Sequence, residues 1–499
     1  MLFNLIKYYY HLIIVLPFLY FIIGNFNDLN YSQVLVVFYI PFGLSIVFTI
    51  LFFRSNHRDS LLSFFSLLVF ILFTSSITAV NITEFWYSIF SIFISIVLTL
   101  LLNKYGDLKK ILAIVAATMV TVCIAQIGLL AIPQIPSPLN DNVIKHSDQP
   151  VQITPNIYSI TLDAYSRYDQ LKKIGHENKY FEDTIKNSGF FVADRATSNF
   201  MTTQLSMYTF WEMDFPVSVD KEKPYIVKSS SEITQVLRGN NTVINSLRSL
   251  GYQHIRMGPN QSKPQDCSGF EDICLYMINP TDGSAYGAGG NIYINIVEMT
   301  PFLDRFQIAF PTLFSRNTYL ESTIDDGLRE WKRIKNDVGE PYFVEMNVWQ
   351  PHPPYLLNEK CEKQQDIIPY GALSWKSSSI DHYSQELYCA NSHLTNLVTY
   401  ISKHDPNAIV LIQSDHGHSF NVDWKVNADR WTEDSILVRS AILWAGKFPK
   451  ICQKYLYKNI STINTFRVVF SCLYGEHLEL LPDKIYINNM GLVEYTGQR

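Results

Sequence analysis

At 499 residues the chain is too long for one ordinary domain, and its formal net charge of −5 with no basic tract argues against a nucleic-acid partner. A 47 % apolar and 17 % charged composition hides an uneven distribution. Residues 1–132 carry six basic side chains (Lys7, Arg54, Arg58, Lys104, Lys109, Lys110) and four acidic ones (Asp28, Asp59, Glu84, Asp107), which suits a membrane segment, and the remainder has the composition of a globular domain.

Five apolar runs predict an N-terminal bundle of five transmembrane helices, at Tyr9–Ile23, Val34–Phe53, Leu61–Val80, Phe85–Leu102 and Ile111–Ile132. Pro17 and Pro41 fall inside two of them, which neighbouring helices tolerate. The basic residues sit at the N-terminus and in the Arg54–Arg58 and Lys104–Lys110 loops, so the positive-inside rule puts everything after Ile132 outside the cytoplasm. Residues 133–155, rich in Pro and Asn, predict an extended linker before a domain at 156–499.

Of the seven cysteines, Cys123 lies in the fifth run and six lie beyond it. An even number in an oxidising compartment predicts disulfides. Sequence order suggests Cys267–Cys274, Cys361–Cys389 and Cys452–Cys472.

Within 156–499, Asn156–Leu162 predicts a strand that delivers Asp163 at its C-terminal end, as a metal ligand or as a helix cap. A helix at Lys179–Ser188 and a strand at Phe190–Arg195 follow. Ser198–Met207 then opens a helix with Thr202 or Thr203 at its start, either as a plain cap or as a hydroxyl placed where backbone N–H groups favour an anion. Strands are predicted at Tyr252–Met257 and Tyr342–Trp349, the second leading into Gln350-Pro-His-Pro-Pro-Tyr355, where flanking prolines hold His352 rigidly. A helix over Tyr383–Ser402 precedes an apolar strand, Ala408–Ile412, that ends in Asp415-His416-Gly417. The carboxyl edge of an open α/β sheet is where sites form, and a carboxylate beside an imidazole suits a divalent ion. A strand at Arg439–Trp444 and a helix at Thr465–Leu473 complete the set.

Taken in order, L-D-A-Y-S-R, S-N-F-M-T-T-Q-L-S, Q-P-H-P-P-Y, S-D-H-G and I-S-T-I-N-T-F-R-V-V-F resemble the membrane-anchored, sulfatase-like branch of the alkaline phosphatase superfamily. That branch includes phosphoethanolamine transferases and lipoteichoic-acid-type phosphoglycerol transferases. The resemblance implies an α/β alkaline-phosphatase/sulfatase-like domain, a doubly wound sheet sandwiched by helices. It further implies a metal held by Asp163, Thr203, Asp415 and His416, with Thr203 as nucleophile and Thr202 as the alternative. His352 is implied as the group at the substrate phosphate or leaving group, with Arg167, Ser206 and His418 as further substrate contacts. The ion implied is Zn²⁺ or Mn²⁺, with Mg²⁺ or Ca²⁺ as alternatives.

Sulfatases proper carry C-x-P-x-R, whose Cys or Ser becomes formylglycine. Here Thr203-Gln-Leu-Ser-Met207 stands in its place. The resemblance therefore implies a transferase that moves a phospho-headgroup from a membrane phospholipid, through a phosphothreonine, to an envelope glycan or lipid. It would sit in a bacterial inner membrane with its catalytic domain in the periplasm. A phosphodiesterase or sulfatase-type hydrolase, and a non-catalytic scaffold for glycan assembly, are the alternatives.

Overall fold

A computed structural model of the chain describes residues 9–25, 31–73, 84–131, 151–220, 223–257, 270–275, 300, 323–368 and 374–497. The chain divides into two compact units, Met1–Ser137 with Tyr286–Thr318, and Pro138–Ala285 with Tyr319–Arg499.

Among the described residues the first unit holds five helices: α1 (Tyr9–Asn25), α2 (Tyr31–Leu51), α3 (Arg58–Phe73), α4 (Glu84–Lys104) and α5 (Gly106–Ala131). The expectation of five membrane spans is corrected here. Among the described residues one helix, at Gly106–Gly128, is long and apolar enough to cross a bilayer. The apolar helices Tyr10–Ile23, Val37–Leu51 and Ser88–Lys104 are each 17 residues or fewer. At about 1.5 Å per residue such a helix covers less than the roughly 30 Å hydrocarbon core. Composition marked the apolar runs, but length and apolar character meet together, among the described residues, only in Gly106–Gly128. Most of the expected 133–155 linker lies outside the described residues.

The second unit is built on a seven-stranded sheet. Its strands are β1 (Ile157–Asp163), β2 (Phe191–Val192), β3 (Gln253–Met257), β4 (Ile273–Leu275), β5 (Tyr342–Pro351), β6 (Ile409–Ser414) and β7 (Trp444–Lys447). They run in the order β2-β7-β6-β1-β5-β3-β4. The central strands are parallel, and β7 is antiparallel to both β6 and β2. Because side chains alternate across a strand, β1 sends Tyr158, Ile160 and Leu162 into one core and Ile157 into the other. Strand β6 divides in the same way, Val410 and Ile412 against Ile409 and Leu411. Both faces are thus covered, which is why β1 and β6 are apolar runs buried along their whole length. The α/β sandwich expected from the resemblance is present.

Element boundaries differ in one place that matters. Residues 439–444 were expected to be a strand. Instead Glu433–Ser440 is a helix, capped by the Thr432 hydroxyl accepting from Ser435 N–H at 3.2 Å, and the strand begins at Trp444. The expected Phe190–Arg195 strand shrinks to Phe191–Val192.

Two of the expected disulfides are formed, Cys361–Cys389 with Cα atoms 5.0 Å apart and Cys452–Cys472 at 5.1 Å. The third involves Cys267, which lies outside the described residues. Cys452–Cys472 closes a sequence separation of 20 residues inside the second core. Replacing both cysteines by Ala is expected to cost about 3 kcal/mol, the loop-closure entropy of a cross-link of this span. A denaturant melt that shows no loss would contradict this.

Candidate metal centre

Strand register assembles the site. Leu162 lies opposite Ser414 in the parallel β1–β6 pair, so the next residues of each strand, Asp163 and Asp415, emerge side by side at the carboxyl edge. Asp415 N–H donates to the Leu162 carbonyl at 3.1 Å, extending that pairing one step. On the other side of β1, Asp163 faces Pro351 across a register shift, which brings His352 to the same edge. Ala164 turns the chain away at once with φ of +64°, in the left-handed region. Its N–H donates to Asp415 Oδ1 at 3.1 Å, and its carbonyl accepts from Tyr383 Oη at 2.7 Å.

Thr203 is the first residue of a helix, Thr203–Glu212, with Thr202 as N-cap. Its Oγ1 lies 2.9 Å from His416 Nε2. That imidazole has a defined tautomer. Nδ1 sits 3.1 Å from the Gly417 carbonyl, which can only accept, so Nδ1 carries the proton and Nε2 presents a lone pair. The Nε2 atom is 3.2 Å from Asp415 Oδ2 and 3.6 Å from Asp163 Oδ1. Asp163, Asp415 and His416 each offer one ligand atom, and the three lie within 4.8 Å of one another. Asp163 Oδ1 and Asp415 Oδ2 are buried without a hydrogen-bond partner. Buried carboxylate oxygens facing each other without donors are costly unless a cation sits between them. Two carboxylates and an imidazole lone pair fit a divalent metal ion.

The electrostatics agree. Burial, and then the neighbouring Asp163, push Asp415 up to about 7. Burial also pushes Asp163 up to about 7, against the opposing pull of Arg439. Burial, Arg439 and His352 hold His416 well below the usual imidazole range, and therefore neutral as a ligand requires.

Of the two candidate hydroxyls, the geometry separates their surroundings. Thr202 Oγ1 accepts from Asn488 Nδ2 at 2.7 Å, turned from the cluster, while Thr203 Oγ1 contacts His416. His352 is held between the rings of Trp349 and Trp375, and its Nδ1 donates to the Pro353 carbonyl at 2.6 Å. Its loop is fastened to the helix Ile380–His404 by Glu386, whose carboxylate accepts from the N–H groups of Leu356 and Leu357 and from Gln350 Nε2. The Cys361–Cys389 disulfide fastens the same loop to the same helix.

Three residues expected to touch substrate are otherwise engaged. Arg167 pairs with Asp169 through Nε at 2.6 Å and Nη2 at 2.9 Å, and donates from Nη1 to the Ala196 carbonyl. Ser206 is fully buried and donates to the Asp415 carbonyl at 2.6 Å, tying the Thr203 helix to the metal-ligand loop. His418 is buried against Tyr383 and Phe420, and its Nδ1 accepts from Phe420 N–H at 3.3 Å.

One residue escaped sequence reasoning. Arg439 donates from Nε to the Met201 carbonyl at 2.8 Å, from Nη1 to the Gly417 carbonyl at 2.6 Å, and from Nη2 to His416 Nε2 at 2.7 Å. It joins the Met201 segment, just before the Thr203 helix, to the Gly417 loop while stacked over Trp424. Assigned to a strand, it gave no sign of facing the site; the helix-cap signal Thr432-Glu433-Asp434-Ser435 was the available clue. A second cluster of metal-ligating types, Cys361, Cys389 and His393, has its two sulfurs joined to each other and so offers no thiolate.

Comparison with known proteins follows the same lines. The Sulfatase family model matches residues 165–475. No curated protein matches significantly. The fold is similar to the C-terminal periplasmic domain of EcEptC from Escherichia coli, at 12% identity and a TM-score of 0.45 over 70% of this chain and 95% of that one. It is similar to the integral membrane lipooligosaccharide phosphoethanolamine transferase A from Neisseria meningitidis, at 11% identity and a TM-score of 0.45 over 94% and 95%. The lipoteichoic acid synthase LtaP from Listeria monocytogenes follows at 12% identity and a TM-score of 0.38 over 66% and 77%. Likeness this distant supports no statement about substrate.

The raised aspartates have a signed consequence. Between about pH 4, where aspartate ordinarily titrates, and about 7, the metal-free folded state keeps protons that the unfolded chain has released. Its stability therefore falls as pH rises through that window. A divalent ion competes with the same protons, so its stabilising effect grows over the same range. Thermal melts with and without Zn²⁺ should show a metal-induced rise in Tm that is small near pH 5 and large near pH 7, and that Asp415→Asn suppresses; a pH-independent rise would contradict the assignment. Gly417 gives a second check. A Cβ there would stand 2.2 Å from the Val438 carbonyl oxygen, so Gly417→Ala must displace the Arg439 helix, at a cost of roughly 1–3 kcal/mol and weaker metal binding by calorimetry.

Proposed function

The chain belongs to the sulfatase family of enzymes, and we propose that it transfers a phospho-headgroup, of phosphoethanolamine or phosphoglycerol type, from a membrane phospholipid to a glycan or lipid acceptor through Thr203. One observation carries this reading: the Thr203 hydroxyl, at a helix start, touches the imidazole of a cluster whose two carboxylate oxygens have no other partner. A divalent ion held by Asp163, Asp415 and His416, Zn²⁺ or Mn²⁺ by ligand type, would lower the hydroxyl pKa and offset charge growing on the phosphoryl oxygens.

Thr203 Oγ1, its hydroxyl proton released to solvent, attacks phosphorus and forms the Thr–O–P bond as the bond to the diacylglycerol oxygen breaks. The free N–H groups at the start of the Thr203 helix would favour the negative charge of the phosphoryl oxygens. His352 supplies the proton to the departing alkoxide, a contribution of roughly 10²–10⁴ for a positioned acid. The acceptor hydroxyl then gives its proton to His352, which the first step left deprotonated, and attacks the same phosphorus as the Thr–O–P bond breaks to return the Thr203 oxygen. Ser206 and Arg439 act as positioning residues, holding the nucleophile helix against the ligand loop. A threonine at this place supports phosphoryl transfer over formylglycine-dependent sulfate hydrolysis, because maturation does not convert threonine.

A lipid donor is consistent with the apolar helix Gly106–Gly128 that precedes the catalytic unit in sequence. An extracytoplasmic catalytic unit is supported by the Cys361–Cys389 and Cys452–Cys472 disulfides and by the basic residues gathered at Arg54–Arg58 and Lys104–Lys110.

The test is to incubate the full-length protein with phosphatidylethanolamine or phosphatidylglycerol and Zn²⁺, then weigh the peptide that contains Thr202 and Thr203. A headgroup-phosphate adduct on Thr203 is expected, lost in Thr203→Ala and retained in Thr202→Ala. An adduct that maps to Thr202, or release of headgroup phosphate to water with no acceptor needed, would overturn the transfer through Thr203.

A further inference from the structure

A cavity of about 310 Å³ opens between the helices Lys179–Asn187 and Ile380–His404, away from the metal ligands in sequence. Its volume lies at the lower end of the range for small-molecule sites, about 300–1,000 Å³. The lining is distinctive in type. Asn178, Asn391 and Asn396 supply carboxamides, while Thr184, Ser392 and Thr395 supply hydroxyls. Tyr180 and Tyr388 present rings that are 86% and 40% exposed. Glu177 is the one charged residue of the lining, and its carboxylate already accepts from Tyr168 Oη at 2.6 Å and Lys179 N–H at 2.9 Å. With no cation in the lining, an anionic ligand has no counter-charge there.

The floor is preorganised. Tyr165 Oη donates to Asn391 Oδ1 at 2.5 Å, Asn391 Nδ2 donates to Asn178 Oδ1 at 2.7 Å, and Asn178 Nδ2 donates to Tyr165 Oη at 2.9 Å. This closed ring orients both amides and leaves each with a second N–H. Beside it, His176 is 2% exposed, and its ring packs 4.5 Å from that of Tyr388.

We propose that this groove binds a neutral oligosaccharide, with sugar faces on the Tyr180 and Tyr388 rings and sugar hydroxyls on the amides and hydroxyls between them. Aromatic rings beside carboxamides match the two surfaces of a pyranose, an apolar face and a polar rim. Tyr165 stands two residues after Asp163 in sequence, so the groove floor and the metal centre are braced by the same turn. Combined with the transfer proposed above, the groove names the acceptor's class as a neutral glycan. Its role as acceptor subsite rests on that reading, whereas glycan binding does not.

The experiment uses the full chain in nanodiscs, because glycosidic detergents would compete. Maltotetraose, chitotetraose and mannotetraose are titrated in turn and followed by saturation-transfer NMR. At least one is expected to bind saturably, with affinity reduced about tenfold or more by Tyr388→Ala and by the exposed-site variant Asn396→Ala, and unchanged by Thr203→Ala. The proposal falls if none of the three saturates, or if both groove variants bind as the parent does. A normal Thr203 adduct without glycan binding would sink the groove and leave the transfer intact. Glycan binding without an adduct would do the reverse.

Discussion

Two carboxylates brought side by side in a protein interior repel each other and cannot both stay ionised without a cation nearby. Asp163 and Asp415 are in that position because β1 and β6 are parallel and in register up to Leu162 and Ser414. The sheet packing that buries both strands also buries the two acids that end them, at 6% and 0% exposure. Burial is costly for the charged forms, and the partner acid adds to that cost for Asp415. Every other feature of the edge either supplies positive charge to this pair or fixes the groups around it.

The fixing is done by side chains that bond to backbone. Ser414 Oγ reaches the carbonyls of Leu162 and His416, and accepts from Tyr165 N–H at 2.8 Å, so one hydroxyl joins the ends of both strands. Asp415 Oδ1 accepts from the N–H groups of Ala164 and His416, which leaves Oδ2 turned toward the cluster. Ser206 and Arg439 bind the Thr203 helix to the same loop, and Glu386 does the equivalent for the His352 loop from a different helix. The groups named in the proposed chemistry therefore stand on loops, but on loops held at several points, which is what a preorganised site requires.

The parts of this arrangement that were legible in the sequence are those written in local pattern. An apolar run followed by Asp-His-Gly marks a buried strand with its cargo at the end, and the structure has β6 and the ligand loop there. The disulfides at Cys361–Cys389 and Cys452–Cys472 followed sequence order. What depends on contact between distant segments was hidden. Arg167 was expected at substrate, yet Asp169 two residues on takes its guanidinium. Ser206 was expected at substrate, yet helical geometry turns it inward to the Asp415 carbonyl. Arg439 was assigned to a strand, which concealed its reach to Met201 and Gly417. The expectation of five membrane spans is not met: among the described residues only Gly106–Gly128 combines the helical length and the apolar character that a bilayer crossing needs.

Charge balance connects Arg439 to the chemistry. On the proposed reading Asp163 and Asp415 as ligands contribute two negative charges, neutral His416 none and the Arg439 guanidinium one positive charge, while protonated His352 and the ionised Thr203 oxygen cancel, so these groups together carry a single excess negative charge. A divalent ion reverses that to a single positive charge. A phospholipid headgroup diester carries one negative charge at its phosphorus, so on the proposed reading the loaded site and its donor neutralise each other. A phosphate monoester dianion would leave an excess negative charge in a place where burial makes any excess expensive. The same count without Arg439 would make the loaded site neutral before substrate arrived, with no net attraction for a diester. On that reading, the guanidinium that joins the two loops would also set the sign of the field that an anionic donor meets.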